Sequence, residues 1–162
     1  MGSDPFYEKA EQSALRFLLY RGRSVHELQV KLRDKGYGDD VIGKVVDRFS
    51  ELKYLDDECF ANQWARSLAV NKLWGNRKIE IDLRLKGISE MLIKGALMIA
   101  REEISEEQAI RMLIGKKMNI ATDFEYDSVA ITTKEKQRLI RYLMGRGFSP
   151  GLIFDRVGMF KE

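Results

Sequence analysis

The stretch LRLKGISEMLI at residues 83–93 decides the fold, because the chain spells the same pattern twice more. The other copies are LRDKGYGDDVI at 32–42 and LMGRGFSPGLI at 143–153. Each copy has Leu, two variable residues, Lys or Arg, Gly, a large apolar residue, a small residue, two variable residues, an aliphatic residue and Ile. A pattern written three times within 162 residues predicts a tandem repeat of one structural unit.

Each copy has the residues of a helix that ends and of another that begins. A glycine just past a helix takes the left-handed conformation, and the apolar residue after it packs back on the helix. Gly36, Gly87 and Gly147 occupy that position, and the Lys or Arg before each one suits the negative end of the helix dipole. Ser89 and Ser149 are then good N-caps for the next helix. We therefore expect three helix–turn–helix junctions.

Other helix starts carry signals of their own. A Ser or Thr followed three residues later by Glu or Gln forms a capping box, and such boxes begin at Ser24, Ser105 and Thr132. Asp56 is placed to cap a further helix. Together with apolar residues at helical spacing, these signals predict about nine helices.

The spacing of apolar residues also predicts which helix faces are buried. The sixth helix is expected to bury one stripe, made of Met91, Leu92, Ala96 and Ile99. The fifth is expected to turn three residues inward: Ile79, Ile81 and Leu83.

The helices group in threes, and the predicted fold is all-α: a tandem array of three three-helix repeats, elongated and slightly curved. The repeats are placed at 6–54, 55–104 and 105–162, and residues 1–5 (MGSDP) have the composition of an expression scar. The junction glycines are 51 and then 60 residues apart, and we assign the excess to a polar, β-branched connection at 119–133. Each repeat is too small for a deep core, so neighbouring repeats are expected to share contacts.

Composition favours a cytoplasmic protein that is not an enzyme. The single cysteine, Cys59, rules out an intrachain disulfide and is expected to be a buried structural thiol. There is no apolar run long enough to span a bilayer and no signal-peptide pattern. With His26 as the only histidine and no phosphate-binding loop, we expect no catalytic site, no metal and no cofactor.

Basic residues are concentrated in two stretches that lead into the second and third copies of the pattern. The net charge of +3 is small, so their placement is more informative than their sum. A solvated helix face explains them as well as a binding surface does. A cationic ridge on a rigid helix would suit nucleic-acid phosphates or an acidic protein surface equally well.

Three segments, in this order, resemble the RecX regulatory proteins of bacteria: ALRFLLYRGRSVHELQVKLRDKGY (14–37), LKYLDDECFANQWARS (52–67) and WGNRKIEIDLRLKGI (74–88). The strings LDDxxFAxxW and GxxxIxxxLxxKGI are the specific parts, and the third repeat is similar to the family more loosely. The resemblance implies tandem three-helix repeats and a non-enzymatic modulator of the RecA recombinase.

A protein of this kind is expected to bind in the groove of the RecA filament on single-stranded DNA. It would block filament growth and damp ATPase, strand exchange and coprotease activities, acting as a monomer. From charge placement, the expected contacts are Arg66, Arg77, Lys78, Arg84 and Lys86, followed by Lys134, Arg138 and Arg141. The alternative is a stand-alone helical module that binds single- or double-stranded DNA through one helix–turn–helix.

Overall fold

The computed structural model describes residues 5–160, in which nine α-helices follow one another with no β-strand between them. Repeat 1 contains α1 (Pro5–Tyr20), α2 (Val25–Asp34) and α3 (Asp39–Glu51). Repeat 2 contains α4 (Asp57–Val70), α5 (Asn76–Leu85) and α6 (Glu90–Glu103). Repeat 3 contains α7 (Glu106–Met118), α8 (Thr133–Gly145) and α9 (Pro150–Val157), with a short 3-10 helix at Tyr126–Ser128. Pro5 begins α1, and residues 1–4 of the expected expression scar lie outside the described range.

The three junctions have the predicted geometry. Gly36, Gly87 and Gly147 have φ of 87°, 75° and 90°, which an L-residue with a Cβ adopts only with strain. In each junction the N–H after the glycine donates to the carbonyl of the Leu five residues earlier, which is the Schellman bond. The three bonds are Tyr37 to Leu32 at 3.3 Å, Ile88 to Leu83 at 3.1 Å and Phe148 to Leu143 at 3.4 Å.

The predicted helix caps are also confirmed. Ser24, Ser105 and Thr132 each form a complete capping box with the Glu or Gln three residues on. Asp56 accepts a hydrogen bond from the N–H of Cys59 at 2.9 Å. Local sequence is therefore enough to specify where these helices start.

The apolar cores are distributed unequally among the repeats. Repeat 1 has a core of its own, in which Leu28, Leu32 and Phe49 are fully buried. Repeats 2 and 3 share one continuous core that runs from Phe60 to Phe160. Neighbouring repeats do share contacts as expected, but only the second pair shares an apolar core.

The connection at 119–133 is not the polar linker that its composition suggested. Phe124, Tyr126 and Ile131 are buried in the shared core. The Phe124 and Tyr126 rings lie 5.9 and 5.1 Å from the ring of Phe160 after α9. Arg111 of α7 lies over both rings and donates to the Phe124 carbonyl at 2.7 Å. The extra residues of repeat 3 thus add to its core.

Four expectations about burial were wrong. Cys59, in the first turn of α4, is exposed because α4 buries the stripe that begins at Phe60 and Ala61. Met91 and Ile99 are exposed because α6 packs through its small residues, and its buried face is Ile93, Ala96, Leu97 and Ala100. Ile81 is 56 % exposed, since α5 buries only Ile79 and Leu83.

The junction turns also dock one repeat on the next. In joint 1, between repeats 1 and 2, Ser24 at the start of α2 donates through Oγ to the Lys86 carbonyl at 2.6 Å. In joint 2, between repeats 2 and 3, the N–H of Gly75 at the start of α5 donates to the Arg146 carbonyl at 2.8 Å. Lys86 and Arg146 each precede a junction glycine, so the two joints use the same position of the repeat.

Both joints require the helix start of one repeat to approach the junction turn of the next closely. A Cβ on Gly75 would overlap the backbone of Gly147, and a Cβ on Gly147 would overlap Lys78. In joint 1 a Cβ on Gly87 would overlap His26. At Gly36, where no other repeat of the described chain docks, no neighbouring atom lies within 4 Å of that position.

Docking in a row leaves the chain extended. Its accessible surface is 9924 Å², whereas a compact monomer of 18.8 kDa would expose about 8,300 Å². The excess supports the elongated shape expected of a repeat array.

We predict that Gly75→Ala lowers the free energy of unfolding by on the order of 2 kcal/mol more than Gly38→Ala does, as measured by urea denaturation. Both glycines are N-caps with an ordinary negative φ, so both variants carry the same change in capping. Only Gly75 faces another repeat, since nothing lies within 4 Å of a Cβ at Gly38. Equal losses in the two variants would contradict the close approach at joint 2.

Candidate functional site

Three of the cations expected to contact a partner are paired with carboxylates of the chain itself. Arg66 Nη2 lies 2.7 Å from Glu103, and Arg84 pairs with Glu90. Both arginines remain about half exposed, so each can still face a partner. The third, Lys86, belongs to joint 1.

Lys86 is only 16 % exposed and is held from two sides. Its Nζ lies 3.0 Å from Glu27 Oε1 of repeat 1 and 4.4 Å from the ring centroid of Trp64. Arg21 completes the group, with Nη2 2.8 Å from Glu27 and its guanidinium over the same Trp64 ring. Lys86 therefore joins two repeats, and it is not the free contact that charge placement predicted.

Joint 1 depends on the charge of Glu27. Burial by itself raises the pKa of this carboxyl, but hydrogen bonds and charge from Arg21 and Lys86 outweigh it and lower the pKa from 4.5 to about 2. The folded protein therefore binds this proton more weakly than the unfolded chain does. The resulting stabilisation is complete above pH 4.5 and is lost as the pH falls towards 2.

Arg77 and Lys78 lie at joint 2. The N–H of Arg77 donates to the Gly147 carbonyl at 3.1 Å, while its side chain is exposed and pairs with no carboxylate in residues 5–160. Lys78 Nζ donates to the Gly145 carbonyl at 3.2 Å and lies 4.4 Å from the Trp74 ring centroid. Of the five cations placed first by sequence, Arg77 is the most available for a partner.

Repeat 3 brings further cations together on one face. Lys134, Arg138 and Arg141 are exposed on α8 at helical spacing. Arg138 and Lys117 of α7 line one cavity of about 310 Å³. These three residues therefore share one exposed side of α8, and Lys117 lies next to it.

An aromatic ring continues this face towards repeat 2. The Tyr142 ring centroid lies 5.3 Å from Lys117 Nζ and 5.2 Å from the guanidinium carbon of Arg146. Arg146 Nη1 donates to the Lys72 carbonyl of repeat 2 at 3.1 Å. We call this surface the cationic band; its residues are Lys117, Lys134, Arg138, Arg141, Tyr142 and Arg146.

Sequence reasoning missed two residues of this region. Lys117 lies at the end of α7, where a cation is already explained by the helix dipole, so its approach to α8 could not be anticipated. Arg101 of α6 donates to the Trp74 carbonyl at 2.7 Å and to Asn76 at 2.8 Å, and so positions the turn that enters joint 2. Both contacts join residues that are far apart in sequence.

The described part of the chain, residues 5–160, holds no cluster of three His, Cys, Asp or Glu side chains that could bind a metal ion. Within the same range, every helix is too short or too polar to cross a membrane.

This geometry defines a class of protein: a helical repeat protein whose three-helix units dock on one another and carry a cationic band. Three family models match it in order: the first three-helix domain of RecX at residues 10–49, the second at 56–97 and the third at 105–155. The chain belongs to the RecX family.

Relatives agree with this assignment. The chain is 35 % identical to the regulatory protein RecX of Mycolicibacterium smegmatis, over 94 % of this chain and 79 % of the relative. It is 34 % identical to RecX of Mycolicibacterium vanbaalenii, over 93 % and 81 %. The fold is similar to the crystal structure of RecX from Lactobacillus salivarius, with a TM-score of 0.77, 21 % identity and coverage of 94 % and 95 %.

We predict that Glu27→Gln destabilises the protein at pH 7 by on the order of 1 to 2 kcal/mol, between the values for exposed and buried ion pairs. The difference in the free energy of unfolding between wild type and variant should shrink as the pH falls from 4.5 towards 2, because the wild-type carboxyl then becomes neutral as well. Urea unfolding at several pH values measures this difference in free energy. Glu90→Gln, which removes an exposed pair with Arg84, is the control and should have a much smaller effect.

Proposed function

We propose that the protein binds the RecA filament on single-stranded DNA and inhibits its growth, and with it ATPase, strand exchange and coprotease activity. The observation that carries this proposal is the ordered match of all three RecX domains across residues 10–155. The relatives named regulatory protein RecX support a regulatory role without catalysis. Under this proposal the protein acts in the cytoplasm as a monomer.

An array of repeats is suited to inhibit RecA by occupying several protomers of the filament at once. Each repeat presents its own surface, and the two joints fix the spacing of these surfaces. A filament offers the same protomer again and again, so contacts that are weak one by one add through multivalency. Binding across neighbouring protomers would restrain the movements that they make during filament growth and ATP turnover.

The cationic band is assigned to the phosphates of the DNA within the filament. Lys134, Arg138 and Arg141 are exposed and can approach a backbone, while Tyr142 is half-buried between Lys117 and Arg146. Contacts to phosphates release counterions, so affinity should fall steeply with salt. They carry no sequence preference, which suits a protein that follows a filament along any DNA.

The same band supports a second candidate, a stand-alone helical module that binds DNA without RecA. This module would bind free single- or double-stranded DNA tightly, with a steep salt dependence. Inhibition of a RecA reaction would then require enough protein to cover the DNA.

The test is RecA-dependent ATP hydrolysis on single-stranded DNA, titrated with this protein well below the concentration of RecA. The proposal expects strong inhibition at these low ratios, because one bound molecule stops a growing filament. Absence of inhibition, together with tight binding to DNA alone, would overturn the proposal in favour of the DNA-binding module.

We predict that replacing Lys134, Arg138 and Arg141 together with Ala raises the concentration for half-inhibition about tenfold or more. It should also flatten the salt dependence of binding, lowering the slope of log K against log salt by about 2, at about 0.7 per phosphate contact on a single strand. The control replaces Lys31, Lys44 and Lys94, which are exposed on other helices, and should inhibit within about twofold of wild type. Equal inhibition by both folded variants would remove the band from the interface.

A further inference from the structure

A groove of about 540 Å³ lies at joint 2, between α5 and the junction of α8 with α9. Ile81, Met144 and Pro150 line it with apolar atoms, and Arg77 and Lys78 line it with cations. Ile81 is 56 % and Met144 42 % exposed, and no carboxylate lines the groove. Exposed apolar surface bordered by charged side chains is typical of an interaction site.

The exposed apolar surface continues along α5. Arg77, Ile81 and Leu85 recur every four residues and so share one side of the helix. Leu85 is 75 % exposed, and Phe154, one turn after Pro150 on α9, is also exposed. The exposed apolar side of α5 thus extends beyond the groove to Leu85, with Arg77 at its other end.

Joint 1 shows that docking does not require such a groove. Met144 and Pro150 follow Arg84 and Glu90 by 60 residues and hold the same positions of the repeat. In joint 1 these positions form an ion pair. In joint 2 they are apolar and leave the groove open, although the helix start docks on the junction turn in both joints.

The same contrast holds on the other side of the joint. Arg77 and Lys78 follow His26 and Glu27 by 51 residues. Glu27 is neutralised by Arg21 and Lys86, whereas Arg77 has no carboxylate partner in the described chain. Joint 2 therefore carries positive charge that no partner within residues 5–160 offsets.

We propose that this groove binds a protein segment that presents an apolar side chain next to one or more carboxylates. The carboxylates complement Arg77, and the apolar side chain covers Ile81 and Met144. A nucleic-acid strand fits less well, because its phosphates gain nothing from the apolar lining. Trp74 is covered by Lys78, and Phe148 is buried, so neither is open for a base to stack on.

This inference rests on the proposed function, in which the segment is supplied by a RecA protomer of the filament. The two surfaces then have different partners. The groove at joint 2 contacts protein, and the cationic band of repeat 3 contacts DNA.

The test compares binding of fluorescently labelled protein to RecA filaments on single-stranded DNA and to the same DNA without RecA. Ile81→Glu places a like charge where the carboxylates of the segment would lie and should weaken filament binding about tenfold or more. Binding to DNA alone should stay within about twofold of wild type. Ile81→Leu should bind the filament like wild type, because the apolar surface is kept.

Met91→Glu is the matched control, since Met91 is 78 % exposed on α6 and does not line the groove. It should bind the filament as wild type does. Arg77→Ala provides a second variant that keeps the apolar lining, with an expected loss of about threefold to tenfold for the filament. Arg77→Ala tests the groove even if circular dichroism shows that Ile81→Glu does not fold.

The outcomes separate the two proposals. Wild type that neither binds nor inhibits filaments overturns the proposed function, and the assignment of the groove to RecA with it. Wild type that binds filaments while Ile81→Glu and Arg77→Ala bind equally well overturns only the groove. Losses of the same size for filament and for free DNA would show that the groove contacts nucleic acid, which also overturns it.

Discussion

The left-handed glycine turn is the constraint on which the rest of the structure depends. At Gly87 and Gly147 the backbone has positive φ, which ends one helix and lets the next begin. The same missing Cβ lets the helix start of the preceding repeat approach the turn within contact distance. One residue type thus specifies both the fold of a repeat and the spacing between repeats, because the helix end and the docking surface are the same few atoms.

The two joints use this turn with different chemistry. At joint 1 the other contacts are hydrogen bonds, ion pairs and a cation–π contact of Arg21 with Trp64, and Glu27 lies between Arg21 and Lys86. At joint 2 a continuous apolar core joins the repeats. We therefore expect attachment of repeat 1 to respond to pH and salt, and attachment of repeat 3 to depend on burial of apolar surface. Repeats 2 and 3 are the pair joined by a shared apolar core.

Some basic residues hold the joints between repeats, and others lie on the open surface. Arg146 reaches from repeat 3 to repeat 2. Lys86 joins repeats 1 and 2, although charge placement in the sequence put it among the partner contacts. Arg138 and Arg141 remain on the surface, as expected. Charge placement along the chain could not separate cations on the open surface from cations that hold a joint, because that depends on which carboxylate folds against them.

Sequence by itself determined the helices, their caps, the junction turns and the family, because each of these depends on residues within a few positions of one another. It could not place Cys59 or Ile81 correctly, since a helix can turn several faces inward and its neighbours select one. Only the tertiary structure decided that the 119–133 connection enters the core, that Lys117 meets α8 and that joint 2 leaves an open groove. These features arise where residues distant in sequence meet, and local pattern carries no information about such contacts.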